Sequence, residues 1–217
     1  METNPRAEIT EPDSAPNRLE SPQTFAVTLA DTNLGAAMEW LSNLPESEAK
    51  EAATRDVAYE AAKENPQTAL ELGAGLPANP ERDQLLDHAV SQFATSDARA
   101  ATDWVLQIPD PSLRGRLLAA VATAAAEAHP AEAATLVATA IEDSEQQTRA
   151  VVAVVQRWVQ TAPKDAAAWV EQFPQGPLRH AAAQNLLVIW SLNDRQAANA
   201  WLRTLPEAER AELSGHS

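Results

Sequence analysis

Bulky apolar residues recur along this chain at two fixed positions, with more polar stretches between them. Trp40, Trp104, Trp169 and Trp201 are each followed, four residues later, by an apolar residue and then by Pro45, Pro109, Pro174 or Pro206. Leu72 and Leu136 belong to the same series. The six anchors are separated by 32, 32, 32, 33 and 32 residues. Four residues after them stand Leu44, Leu76, Ile108, Ala140, Phe173 and Leu205. The fourth copy alone lacks the following proline and has Ile141 instead. A second series, eleven residues before the anchors, reads Leu29, Ala61, Phe93, Ala125, Trp158 and Trp190. Every tryptophan in the chain thus falls on one of two positions of a repeat.

Each copy reads as two helices. Seven residues before the anchor, Asn33, Asn65, Asp97 and Asp194 can accept bonds from the free N–H groups of a first helical turn. Pro66, Pro130 and Pro163 follow that boundary or replace its signal, as proline is well tolerated in a first turn. The anchor and the residue four after it share one helix face. The proline that follows disfavours helical geometry at its own predecessor and stops this short helix, A. A longer helix, B, follows, as in PSLRGRLLAAVATAAAEA. Its broad apolar surface predicts burial against two neighbours. No stretch alternates as an amphipathic strand does.

A single pair of this kind cannot bury its apolar stripe, but stacked copies can. The expected fold is all-α, a right-handed α-α superhelix (solenoid) of helical hairpins. Residues 1–21 read as a flexible polar arm and 22–217 as one solenoid. That solenoid divides into a B-type half-unit at 22–31, five full repeats over about 32–194 and a clipped sixth at 195–217. The structural anchors are Trp40, Leu72, Trp104, Leu136, Trp169 and Trp201, with Phe93, Trp158 and Trp190 from the second series. Trp104, central in the array, is expected to be buried. The last helix has little beyond Leu213 to cover Trp201 and Leu205: either residues 207–213 cap this end, or it packs on another chain, a second copy (self-association) or the next domain of a larger assembly. The fourth copy, built of small residues, should not pack in the standard way; it reads as plain drift within the array or, alternatively, as a change of superhelical curvature.

The two-helix unit, with its Trp40, Trp104, Trp169 and Trp201 series and the prolines after it, resembles bacterial helical repeat domains with TPR-like or HEAT-like packing. It departs from the tetratricopeptide pattern, which has a 34-residue period and a recurring Gly–Tyr pair. The resemblance covers about residues 22–213 and implies a shape. Domains of that shape commonly serve as binding scaffolds.

Net charge is -15. Nucleic-acid backbones and anionic membranes are disfavoured partners, since both need clustered Lys and Arg. A basic protein partner fits. The absence of cysteine excludes disulfides and thiolate sites. The first residues carry no apolar signal segment, which favours the cytoplasm, and no run approaches the length of a membrane span.

Candidate chemistry is sparse. His88, His129, His180 and His216 form no HxxxH or HExxH phrase, and a metal site needs three or four converging ligands. Ser91 lies one turn from His88, with no acid placed to orient the imidazole. Gly73 and Gly75 match no phosphate-binding phrase and read as helix terminators. No cofactor, metal or catalytic set is expected. Glu39, Glu71 and Asp103, one residue before their anchors, would form an acidic ridge able to read a basic partner. Ten residues after the anchors stand Lys50, Arg82, Arg114, Gln146 and Arg179. A cation early in helix B opposes that helix's own dipole, so it should have a recurring structural task, such as bonding loop carbonyls. The reading is a non-catalytic protein-binding or assembly scaffold. A helical enzyme with a concave pocket, or a spacer domain of a larger protein, are the alternatives.

Overall fold

The structure, a computed structural model, describes residues 22–141 and 144–214. The expected N-terminal arm and the last three residues lie outside them. The described residues form α-helices and no strand. In order these are α1 (Pro22–Thr32), α2 (Leu34–Ser42), α3 (Glu48–Ala61), α4 (Pro66–Ala74), α5 (Pro80–Val105) and α6 (Pro111–Ala125). There follow α7 (Pro130–Ala140), α8 (Ser144–Thr161), α9 (Pro163–Val170), α10 (Pro177–Asn193), α11 (Arg195–Leu202) and α12 (Glu207–Ser214). Asp97, with φ -150° and ψ 85°, divides α5 into a B helix and an A helix.

The packing follows the predicted alternation. B-type helices touch in succession: α1 on α3, α3 on α5, α5 on α6, α6 on α8, α8 on α10 and α10 on α12. The short helices sit between them. Helix α2 packs on α1 and α3, α4 on α3 and α5, α7 on α6 and α8, and α9 on α8 and α10. These contacts are those expected of stacked helical hairpins.

The junction from B to A is a single residue. Asn33, Asn65, His129, Ala162 and Asp194 each donate their N–H to the carbonyl four residues back, at 2.7–2.9 Å, closing helix B. The residue at this junction, Asp97 in the third copy, then opens helix A in one of two ways. Asn33, Asp97 and Asp194 accept from the N–H three residues on, at 3.0, 2.9 and 2.9 Å. Asn65, His129 and Ala162 make no such side-chain bond, and each is followed by a proline in the first turn. Asn65 therefore does not cap as expected. Pro66 presets the helical φ and removes one N–H that would need a partner. Asp97→Ala is expected to cost about 1 kcal/mol in urea unfolding, and His129→Ala less than about 0.5 kcal/mol.

The junction from A to B tightens before it turns. N–H groups three residues after Trp40, Leu72, Trp104, Trp169 and Trp201 bond the anchor carbonyls at 2.8–3.2 Å. This shorter i→i−3 spacing satisfies the last carbonyls of a helix. The proline after it offers no further donor. In the fourth copy Ile141 is extended, at φ -103° and ψ 109°, and is buried, whereas the prolines at this position are exposed. The apolar plug has moved one residue along.

Burial corrects the list of anchors. Trp158, Trp169, Trp190 and Trp201 are buried, but Trp40, Leu72, Phe93, Trp104 and Leu136 are only half-buried. The reason is local. Where the second series supplies a tryptophan, that ring covers the next anchor: Trp158 on Trp169 at 5.8 Å between centroids, Trp190 on Trp201 at 6.2 Å. Leu29, Ala61 and Ala125 are too small to do so for Trp40, Leu72 and Leu136, and Phe93, before Trp104, is itself only half-buried. The deepest position of helix A is instead three residues before the anchor. It is alanine throughout: Ala37, Ala69, Ala101, Ala133, Ala166 and Ala198, at most 1% exposed. A methyl group there lets the A helix approach the B helices on either side of it. Gly73 serves the same end and is no terminator. It lies inside α4, and a Cβ on it would stand 3.0 Å from a Leu86 methyl and 3.2 Å from one of Leu85.

The C-terminal end is not thin. Trp201 and Leu205 are buried, and α12 contributes buried Leu213 and Glu209. The reason given for self-association at that end, uncovered apolar side chains, does not hold.

Candidate functional site

The feature that repeats on the surface is one face of the A helices. Residues five and one before the anchor, and two and three after it, share a face through their i, i+4, i+7, i+8 spacing. They are exposed in every copy, opposite the buried alanine. Glu39, Glu71 and Asp103 all lie on this face. The later copies put Thr135, Ala168 and Ala200 at the same position, also exposed. This one position thus changes along the array from acidic to small and uncharged, while Lys164, Glu171 and Arg203 keep charge at the other positions of the face in the last two copies. Of the three acids, Glu71 accepts a bond from Gln67 at 3.3 Å.

In the last two copies a groove of about 450 Å³ opens between α9 and α11, with Lys164 and Glu171 in its lining. Ala167, Ala168, Ala197 and Ala200 line it, with Trp190 and Trp201 beneath. The Trp201 indole N–H donates to Glu171 Oε1 at 2.7 Å, which fixes the ring and ties two neighbouring A helices together.

Polar side chains set the spacing from which this face is built. Arg114 donates to the Ile108 carbonyl at 2.8 Å, and Arg179 to the Phe173 and Glu171 carbonyls at 3.1 and 2.8 Å. A cation at the end of helix A meets both its free carbonyls and its dipole, which is the task expected of this series. Lys50 and Arg82 differ: they pair with Glu46 at 2.6 Å and Asp83 at 2.6 Å. In the fourth copy Gln147 reaches the Val137 carbonyl at 3.3 Å. The extra residue of the 33-residue spacing shifted that position by one.

Between copies, Arg179 grips Glu209 through two bonds of 2.7 and 2.8 Å, and Gln156 donates to Asn185 at 3.0 Å. Arg116 meets Asp83 at 3.1 Å and Asp87 at 3.2 Å. Burial pushes the Asp87 carboxyl up, against the pull of Arg116. At Asp83 burial is outweighed by hydrogen bonds from Arg82 and Arg116, and the carboxyl is held below its usual range.

The histidines are dispersed. His88 lies against the Tyr59 ring at 5.6 Å, and exposed His129 stands at the start of α7. His180 Nδ1 lies 3.6 Å from Glu212 of α12, a pairing that no local spacing announces. Beside them opens a cleft of about 600 Å³ at the start of α10. His216 is outside the described residues. The Ser91 hydroxyl donates to the Asp87 carbonyl at 2.8 Å. Among the described residues no group of three or more metal-binding side chains occurs, and no helix is long and apolar enough to cross a membrane.

The buried alanine was the clearest structural signal missed in the sequence. It recurs in all six copies, but alanine is so frequent in both helices that it does not stand out as tryptophan does. Neither a protein-family model nor a curated protein nor a solved structure matches the chain.

Proposed function

We propose that the chain is a non-catalytic protein-binding or assembly scaffold, whose hairpins wind as a right-handed superhelix with TPR-like or HEAT-like packing. The observation that supports this is the A-helix face, exposed at the same four positions in every copy while the opposite alanine stays buried. Repeated exposure at fixed spacing gives an extended partner a run of equivalent contacts. The partner is a protein segment that carries basic residues against Glu39, Glu71 and Asp103. Its bulkier apolar residues lie at the α9–α11 groove. Net charge of -15 is consistent with a basic protein segment and opposes a nucleic-acid partner.

A photo-crosslinking amino acid placed in turn at Gln107 and Thr139 on this face, and at Gln160 on a B helix, tests the reading in living cells. Adducts to one protein from the first two positions and none from the third are expected. Equal adducts from all three positions, or none from any, would refute it.

A further inference from the structure

The two ends of the array are built differently. Helix α12 closes one end, with Leu213 buried and Glu209 held by Arg179. Among the described residues, α1 at the other end packs on α2 and α3 and has no neighbour on its outer side.

The result is visible position by position. Phe25 stands fifteen residues before its anchor. The same position elsewhere holds Val57, Ala89, Val121, Val154 and Leu186, all at 0% exposure, whereas Phe25 is 43% exposed. Met38, two residues before its anchor, is 38% exposed, while three of its five counterparts, Leu70, Ala134 and Ala167, are buried and the other two, Thr102 and Asn199, are half-buried. Phe25 therefore occupies a position that is core in every later copy, and Met38 one that is core in three of them. Ala26, next to Phe25, is fully buried, so the inner face of α1 is already satisfied. The Phe25 ring is held edge-on to Trp40, 5.4 Å between centroids at 65°. This is a cross-section of core with no described residue over it.

Charge indicates what covers it. At a net charge of -15 two copies of this chain repel over most of their surfaces. The N-terminal end is the exception: α1 carries only Asp31 and α2 only Glu39. At the other end α12 presents Glu207, Arg210 and Glu212, a net negative surface that disfavours an end-to-start stack against Asp31 and Glu39. We propose that two copies pair through their N-terminal ends about a two-fold axis, each covering Phe25 and Met38 of the other. A self-complementary contact of this kind closes at two chains and leaves no end free to grow. The proposal goes beyond the scaffold reading and does not depend on it.

Sedimentation of the full chain over about a hundredfold range of concentration tests it. The mass should rise from one chain to two and stop there. Phe25→Glu should weaken the dimer at least about tenfold, a change of about 1.4 kcal/mol, with helix content and melting temperature kept because the ring is already half in water. Met38→Glu should act in the same direction, and serves if the first variant does not fold. Leu192→Glu, at the most exposed apolar residue of α10 (82%), should leave the dimer intact. A wild type that stays a single chain would overturn the proposal, whether that end is then covered by residues 1–21 or by a different protein. So would a dimer that Leu192→Glu disrupts as much as Phe25→Glu does.

Discussion

Trp201→Ala lowers the stability of the chain by about 3–5 kcal/mol in urea unfolding. The ring is 8% exposed, lies on Trp190 and donates its N–H to Glu171. Truncation removes its apolar burial, leaves a cavity beside Trp190 and cuts the bond to Glu171 that links α11 to the end of α9. Trp104→Ala, at the equivalent position of the third copy, should cost only about 1–2 kcal/mol, since a half-buried ring has less area to lose. The comparison tests the burial pattern directly. Equal losses at the two sites would mean that the stacked tryptophans add nothing beyond the repeat itself. Tryptophan emission offers a second readout, because loss of Trp201 exposes Trp190.

Arg179→Ala removes a contact set that no other residue replaces. Its guanidinium bonds both oxygens of Glu209 and two carbonyls at the end of the fifth A helix, with the two side chains only 12% and 9% exposed. Removing one partner of a buried pair costs about 3–5 kcal/mol, because the other charge is left without compensation. Here the molecule has an escape: α12 is eight residues long and terminal, and it can leave with Glu209. The expected outcome is therefore local. Amide exchange in α12 and at the end of α9 quickens strongly, while the first copies keep their protection. Glu209→Ala has the smaller effect, since Arg179 keeps its carbonyl partners. Unchanged exchange in α12 after Arg179→Ala would show that Leu213 alone holds the cap.

Helix boundaries and the alternation of long and short helices were legible because their signals are local. A proline after an apolar residue, or an Asn or Asp at a helix start, acts within a few residues of itself. Burial was less legible, because it depends on what the neighbouring copy supplies. Trp104 and Trp169 share a motif, yet only Trp169 has a tryptophan eleven residues earlier to cover it. The C-terminal cap was misread for the same reason: Glu209 counts as a surface charge until Arg179, thirty residues away, is seen to reach it. At the candidate site, Glu39, Glu71 and Asp103 could be placed on one helix face from their spacing alone. That Ala168 and Ala200, at the same position of the last copies, border a groove over two stacked tryptophans needed the packed structure.

The two kinds of junction have unequal slack. From B to A the chain turns on one residue whose N–H and side chain, or following proline, are both committed, so an inserted residue would uncouple two helices at once. From A to B several exposed residues intervene, and the single extra residue in the array lies on that side, before Gln147. Loop tips of this kind are where insertions are tolerated. Growth in length is thereby confined to one rim of the array. Loops can be grafted there, or recruited in evolution, without disturbing the pitch at which the A helices are presented.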